Sequence, residues 1–194
     1  MISLTDTQER ILTAFKQLLI ENGYTKTTTR KIANLAEVNE LTIFNNFKDK
    51  EGLLNAAVND YLNDVNELTN NIQLSGNVET DLTMLSQQCQ SFFNDHKAII
   101  LAGFRDAFDI PSLNAAIQKI PLYFKQFLMD YFKKMQTNGV IDHNLNVEAQ
   151  SMNFIWLNFG YFLTGQRFNT PGLSFDLTYF LQNNIKSFIN GLFE

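Results

Sequence analysis

Apolar side chains recur every three or four positions along most of the chain, which is the spacing of one face of an α-helix. The first such stripe covers residues 11–19 and follows Thr5, which with Gln8 has the arrangement of a capping box. Gly23 comes after the stripe and suits the left-handed position that ends many helices. The pattern therefore predicts a first helix over residues 5–22.

Two shorter apolar stripes follow between residues 28 and 47, separated by a tight turn. Thr28 and Asn39 each precede one of them, and both side chains can accept hydrogen bonds from the free N–H groups of a first helical turn. Two short helices joined in this way form a helix-turn-helix, whose second helix presents its polar face to a DNA major groove. The first three helices are thus expected to form a small DNA-binding domain.

The remaining chain predicts further helices joined by short loops. They cover residues 50–74, 78–94, 96–108, 112–119, 121–138, 147–166 and 175–192. Pro121 has no amide N–H, and we expect it to break or kink the chain there, or to stand in the first turn of the next helix. The helix over residues 50–74 begins next to the DNA-binding domain and runs on, so it is expected to link the two parts of the molecule. The predicted fold class is all-α, with about nine helices.

Composition agrees with a helical protein of the cytoplasm. Proline and glycine are few, at 3 and 9 residues, so long helices are not interrupted. The single cysteine, Cys89, excludes an intramolecular disulfide and fits a reducing compartment. Charged residues interrupt the apolar residues near the N-terminus, so no signal peptide is expected. No stretch approaches the ~20 apolar residues of a membrane span.

Net charge by itself gives little support for nucleic-acid binding, because it is −5 for the whole chain. Residues 1–54 carry seven basic and seven acidic side chains, whereas residues 55–194 carry eight and thirteen. The N-terminal part is therefore neutral rather than basic. The helix-turn-helix pattern, and not the charge, indicates DNA as a partner.

The stretch from Gly23 to Leu54 resembles the TetR family of bacterial transcriptional regulators, over 32 of the 194 residues. The family usually has glycine where Glu37 stands, and commonly has glycine at Leu41 and tyrosine at Phe44. A glutamate with positive φ at that turn costs on the order of 1 kcal/mol. The positions that carry the resemblance are Gly23, Tyr24, Thr28, Thr29, Ile32, Ala33, Ala36, Val38, Thr42, Ile43, Phe44, Phe47, Lys50, Glu51, Leu53 and Leu54.

This resemblance implies a homodimer that binds a double-stranded DNA operator. Residues 1–49 would form the helix-turn-helix domain, and residues 50–194 would form a ligand-binding and dimerisation domain. Asparagine can pair with adenine and glutamate can accept from cytosine, while a lysine at a helix N-terminus can bind phosphate. The predicted DNA-binding residues are Thr28, Thr29, Arg30, Asn39, Glu40, Leu41, Thr42, Phe44, Asn45, Asn46, Lys48 and Lys50.

The resemblance also implies a cavity for a small-molecule effector among the helices between residues 50 and 166. The many aromatic residues and few charges there favour an apolar or flat aromatic ligand, which could be cationic. Each ring taken singly is also typical of ordinary core packing. The predicted ligand-binding residues are Leu62, Val65, Phe92, Phe104, Phe108, Tyr123, Phe127, Trp156 and Phe159.

The last two long helices predict a dimer interface. Residues 147–166 are apolar nearly all round, and residues 175–192 carry a wide apolar stripe. One side of each helix can pack within its own chain, and the other side needs a partner, which a four-helix interface between two copies supplies. The predicted interface residues are Met152, Ile155, Phe159, Phe162, Leu177, Phe180, Leu181, Asn184 and Phe188.

We expect no enzymatic activity, no metal site and no cofactor. The two histidines, His96 and His143, have no acid or nucleophile at a recognisable spacing, and no HxxxH or CxxC motif occurs. Two functions remain open: a ligand-responsive transcriptional repressor, or a helical carrier of apolar small molecules whose helix-turn-helix is degenerate. A gel shift with the DNA upstream of the protein's own gene distinguishes them.

Overall fold

The structure, a computed structural model, describes residues 5–106, 110–168, 170 and 172–193. Within these ranges every long regular element is a helix, so the predicted all-α fold class is confirmed. The helices are α1 (Asp6–Lys26), α2 (Thr29–Leu35), α3 (Glu40–Phe47), α4 (Lys50–Asn71), α5 (Val78–Asp95), α6 (Lys97–Asp106), α7 (Pro111–Thr137), α8 (Val147–Arg167), α9 (Leu177–Tyr179), a π-helical segment (Phe180–Ile185) and α10 (Lys186–Asn190).

The helices pack into two compact units. The first contains Met1–Glu67 and His96–Ile120, and the second contains Leu68–Asp95 and Pro121–Glu194. By packing, most of α4, all of α6 and the start of α7 therefore accompany the helix-turn-helix. The domain boundary after residue 49 stays a prediction, because it was placed from the helix-turn-helix pattern alone.

The first unit is organised around α1, which packs against both α2 and α6. Two hydrogen bonds fix the C-terminal half of α1 to the end of α6. The Arg105 guanidinium donates to the carbonyl oxygen of Leu19 at 2.6 Å, and the Tyr24 N–H donates to the Asp106 carboxylate at 2.9 Å. We had expected α6 in the C-terminal domain, because no local pattern in a sequence shows a pairing across more than eighty residues.

The predicted helix ends near Gly23 and Pro121 differ from the structure. α1 continues to Lys26, but Gly23 has φ 79° and ψ 168°, so the helix kinks one residue after its predicted end. The predicted break at Pro121 is wrong, because α7 continues through it as one helix of 27 residues. The ring of proline is compatible with helical φ, and the cost is the missing hydrogen bond to the carbonyl of Ile117. The segments 112–119 and 121–138 are thus parts of one element.

The C-terminal helix is less regular than its stripe predicts. It begins at Leu177, where the Asp176 side chain accepts from the N–H of Tyr179 at 2.7 Å. The segment Phe180–Ile185 then has π-helical hydrogen bonding before α10 resumes the α-helix. The second unit buries one core between this region, α5, α7 and α8. Representative fully buried side chains are Leu82, Phe132, Phe154 and Ile185.

A buried carboxylate holds the loop between α4 and α5. One oxygen of Asp81 accepts from the N–H and the hydroxyl of Ser75 at 2.8 and 2.7 Å. The other accepts from the Gly76 N–H at 2.9 Å and from the Tyr131 hydroxyl at 3.0 Å. Burial alone would raise the pKa of Asp81, but these hydrogen bonds outweigh it and hold the pKa below its usual value.

We predict that Asp81→Asn lowers the free energy of unfolding at pH 7 by about 3 kcal/mol, because an amide cannot accept all four donors. The depressed pKa means that the unfolded chain takes up the proton first. The contribution of Asp81 is therefore complete above about pH 4 and is lost as the pH falls through its folded pKa. Denaturant unfolding of both proteins at several pH values measures this. Asp130→Asn, which neutralises an exposed carboxylate of the same unit, should change stability little at any pH.

Candidate functional site

Both helices of the helix-turn-helix begin with the predicted caps. The Thr28 hydroxyl accepts from the N–H of Lys31 at 3.3 Å, and the Asn39 side chain accepts from the N–H of Leu41 at 2.9 Å. These two polar side chains therefore satisfy backbone groups of their own helices. Any contact they make to DNA would be additional to the capping role.

The turn between α2 and α3 carries a strained residue. Glu37 has φ 53°, in the left-handed region that favours glycine, so the cost expected for a glutamate at this turn applies. The chain is nevertheless held by hydrogen bonds from the N–H of Val38 to the carbonyl of Ala33 and from the N–H of Ala36 to that of Ile32, at 3.0 and 2.8 Å.

Burial divides α3 into an inner and an outer side. Ile43 and Phe47 are buried, whereas Leu41 and Phe44 are 62% and 63% exposed. Asn45 is also exposed, on the side away from the buried pair. The remaining predicted groove residues are exposed or half-buried: Glu40, Thr42 and Asn46. The outer side of α3 therefore combines polar side chains with two large apolar ones.

Glu40 and Asn46, two of the predicted base-contacting residues, form hydrogen bonds within the protein. The Thr29 hydroxyl donates to the Glu40 carboxylate at 3.0 Å, which joins the start of α2 to the start of α3. The Asn46 amide donates to the carbonyl of Thr42 in its own helix at 2.8 Å. Asn45 has no such bond among the described contacts, so it is the better placed of the two asparagines for a base edge.

Lys50, at the start of α4, rests on Tyr24. Its ammonium donates to the Tyr24 carbonyl at 3.0 Å and lies 4.1 Å from the centre of the Tyr24 ring. Burial lowers the pKa of Lys50. An ammonium has three donors, so one bond to the carbonyl leaves two for a phosphate. The other predicted cations of this region, Arg30 and Lys48, are exposed.

The backbone of Tyr24 therefore connects α6 to Lys50. Its N–H donates to Asp106 of α6, and its carbonyl accepts from Lys50 of α4. The preceding Gly23 is favoured by its positive φ, and a Cβ there would lie 3.0 Å from Arg105 Nε, so the Arg105 side chain would have to shift. The sequence indicated Lys50 and Tyr24, but no local pattern shows that Asp106 of α6 binds the backbone of Tyr24.

The predicted ligand-binding residues are divided between the units. The first unit holds Leu62, Val65 and Phe104, and the second holds Phe92, Tyr123, Phe127, Trp156 and Phe159. Phe108 lies outside the described residues. Val65 and Phe92 are buried, but three of the predicted aromatic residues are exposed: Phe104, Tyr123 and Trp156. A pocket formed by the whole set stays a prediction.

A cluster of aromatic rings joins α5, α7 and α8 inside the second unit. The Phe93 ring lies 5.6 Å from Phe159 and 5.3 Å from Phe162, measured between ring centres. The Phe92 ring lies 6.2 Å from both Phe93 and Phe124. Phe93 and Phe124 were missed by the sequence analysis, because helical periodicity does not show which rings of different helices meet.

Buried polar side chains also join α5 to α8, and the apolar pattern of the sequence did not predict them. Asn158 of α8 accepts from the Ser86 hydroxyl, and its backbone carbonyl accepts from the Gln90 amide at 2.9 Å. The Asn158 amide donates to the carbonyl of Phe154 at 2.9 Å. Ser86 and Gln90 stand four residues apart within the apolar stripe of α5, which is the signal that could have revealed them.

The predicted interface residues offer a partner different amounts of surface. Phe162 and Phe180 are buried in their own unit, so contrary to expectation their rings have no area left for a second chain. Leu177 and Asn184 are exposed. The other five are partly buried: Met152, Ile155, Phe159, Leu181 and Phe188. Because α8 is apolar nearly all round, its sequence could not distinguish the inner rings from the outer ones.

Other chemical possibilities are limited in the described part of the chain. No group of three or more His, Cys, Asp or Glu side chains there could hold a metal ion. His96 is buried, with Nε2 3.0 Å from the Asp64 carboxylate, and burial lowers its pKa. The described helices also include none that is long and apolar enough to cross a membrane.

Comparison with known proteins agrees with the helix-turn-helix geometry. The family model for bacterial regulatory proteins of the TetR family matches residues 11–57. A curated protein of Bacillus subtilis strain 168, the uncharacterized HTH-type transcriptional regulator YvkB, is 31% identical over 186 residues. That alignment covers 96% of this chain and 97% of YvkB. The chain belongs to the TetR family.

Solved structures of other regulators share the fold along nearly the whole chain. A putative fatty acid metabolism regulator of Clostridium perfringens has a TM-score of 0.75 at 16% identity, covering 95% of this chain and 99% of that one. The regulator FadR of Bacillus subtilis, solved in complex with stearoyl-CoA, has a TM-score of 0.66 at 19% identity. The match to FadR covers 94% of this chain and 98% of FadR. At these identities the likeness shows the fold.

We predict that Glu37→Gly stabilises this TetR-family protein by about 0.5 kcal/mol, since relief of the left-handed strain of about 1 kcal/mol exceeds the cost of roughly 0.5 kcal/mol that comes from the flexibility of glycine in the unfolded chain. Denaturant unfolding measures the change. Glu37→Gln is the matched control, because it removes the charge and keeps the strain. An equal gain from both variants would show that the charge of Glu37, and not its backbone conformation, limits stability.

Proposed function

We propose that this TetR-family regulator is a cytoplasmic repressor that binds a palindromic operator as a homodimer and is released by a small hydrophobic or aromatic molecule. The observation that carries the proposal is the outer side of α3. It is exposed, its helix is capped by Asn39, and its orientation is fixed by buried Ile43 and Phe47. Such a helix is suited to enter a major groove.

Electrostatics favour a dimeric binder. Phosphate contacts supply most of the sequence-independent affinity of DNA-binding proteins. The first 54 residues have equal numbers of basic and acidic side chains, so one copy would gain little from general attraction. Two copies on an inverted repeat double the number of specific contacts. Their half-sites would lie about one helical turn apart or slightly more.

We predict that the protein shifts the DNA upstream of its own gene in a gel assay. Lys50→Ala should weaken binding to all sequences about equally and reduce the salt dependence of affinity, because Lys50 is assigned to a phosphate. Asn45→Ala should instead change base preference. Lys97→Ala, an exposed lysine at the start of α6, is the control. An unchanged affinity and salt slope for Lys50→Ala would remove Lys50 from the interface.

The dimer is proposed to use the side of α8 that its own unit leaves uncovered. Trp156 is 62% exposed there, and Met152 and Phe159 are partly exposed beside it. Gly160 follows one turn after Trp156, and a Cβ at Gly160 would meet no atom within 4 Å. No contact among the described residues explains this mid-helix glycine, which costs about 1 kcal/mol relative to alanine. A partner helix that approaches closely would explain it.

We predict that the protein sediments as a dimer at micromolar concentration and that Trp156→Glu shifts it towards the monomer, because a buried charge in an apolar interface is costly. Gln87→Glu, which adds the same charge on the exposed side of α5, should remain dimeric. A wild-type protein that sediments as a stable monomer would contradict the dimer.

Effector binding is proposed to reach the DNA-binding surface through continuous helices. α4 and α7 each contain residues of both units, and no loop interrupts either helix at that point. The aromatic cluster of the second unit supplies apolar side chains that a ligand could contact. Phe127 also lines a cavity of about 250 Å³ together with Leu74 and Tyr131. A ligand alters DNA binding only if its affinity differs between the two arrangements of the protein.

We predict that an effector lowers operator affinity by roughly 5–150-fold, which is the usual range of such coupling. Long-chain acyl-CoA is a reasonable first probe, because the FadR structure of similar fold contains stearoyl-CoA. Stearoyl-CoA and a flat aromatic cation would be titrated while Trp156 emission and operator release are followed together, with coenzyme A as the control. A compound that saturates the change in Trp156 emission but leaves operator affinity constant would show that ligand binding does not regulate DNA binding.

A further inference from the structure

We infer that Leu41 and Phe44 form an apolar reading surface that selects thymine in the operator through its C5-methyl group. This inference rests on the proposed function, since it requires α3 to lie in a major groove. It goes further by naming the bases that the protein reads and the side chains that read them.

The two side chains lie together on the outer side of α3. Positions three apart on a helix are neighbours, so Leu41 and Phe44 form one small apolar area. They are 62% and 63% exposed, while Ile43 and Phe47 of the same helix supply its contact with the core. Leu41 is also a neighbour of the exposed Asn45, four residues on, so the apolar area adjoins a polar reading residue.

Neither side chain has an evident structural task in the free protein. The helix start is held by Asn39, and the helix is anchored by its buried pair, so neither the cap nor the core uses Leu41 or Phe44. A single exposed apolar residue is ordinary in soluble proteins. Two adjacent ones on an eight-residue helix of the DNA-binding motif are better explained by a partner that covers them.

Thymine is the base that fits this surface. In the major groove its C5-methyl is the apolar group among otherwise polar base edges, and phenylalanine is one of the side chains that contact it. The polar alternatives on α3 are partly occupied, because Glu40 accepts from Thr29 and Asn46 donates to Thr42. The neutral charge of the region also leaves a larger share of affinity to such direct contacts.

The test removes the methyl group alone. A duplex that the full-length wild-type protein selects from a random pool would be resynthesised with deoxyuridine in place of each thymine in turn, which keeps base pairing and replaces the methyl with hydrogen. At one or two positions in each half-site, affinity should fall about fourfold, which is the effect of losing one buried methyl contact. Substitution in both half-sites should lower it about sixteenfold.

Protein variants then assign the methyl to its reader. Leu41→Ala and Phe44→Ala should bind the thymine and deoxyuridine duplexes with nearly equal affinity at the sensitive positions. Leu35→Ala is the matched control, because Leu35 is an exposed leucine on α2, and this variant should keep the full penalty. Circular dichroism and the thermal midpoint should match wild type for all three, since each side chain is exposed.

Two results would overturn the inference and leave the proposed function standing. One is a selected operator on which no thymine can be distinguished from deoxyuridine. The other is a deoxyuridine penalty that persists undiminished in both Leu41→Ala and Phe44→Ala. Failure of the wild-type protein to select any sequence from the pool would instead remove the proposed function and this inference together.

Discussion

Burial of Ile43 and Phe47 determines which side of α3 faces outward, and therefore which of its side chains are accessible to DNA. With these two side chains in the core, Leu41, Phe44 and Asn45 are left outside. Asn39 caps the helix, and the Glu40–Thr29 hydrogen bond ties its start to α2. These contacts hold the turn between α2 and α3 although Glu37 there has a positive φ. Packing of the two helices therefore outweighs the free-energy cost of that strained backbone.

The helix-turn-helix shares its unit with α6, which contacts it through Tyr24. α6 comes from far along the chain, yet Asp106 binds the backbone of Tyr24, whose carbonyl accepts from Lys50. A displacement of α6 would therefore disturb the residue on which Lys50 rests.

Local signals made the helix-turn-helix predictable. Caps at Thr28 and Asn39 depend on neighbouring residues, so the sequence shows them directly. The predicted break at Pro121 failed, because a proline lowers helix stability without forbidding the helix, whose φ its ring can adopt. Pairings between distant segments, such as Arg105 with Leu19 and Ser86 with Asn158, leave no periodic trace and could not be derived.

The exposed Trp156 and the buried Phe162 illustrate the limit of periodicity in α8. When apolar residues surround a helix, periodicity cannot identify its inner side, which depends on the side chains of neighbouring helices.

The proposal that two copies of α3 bind DNA is tested most directly by sequencing the duplexes that the protein selects from a random pool. We expect the selected DNA to contain an inverted repeat with half-sites about one helical turn apart, bound by two chains. Selected DNA that shows no enrichment, or a single half-site bound by one chain, would contradict it.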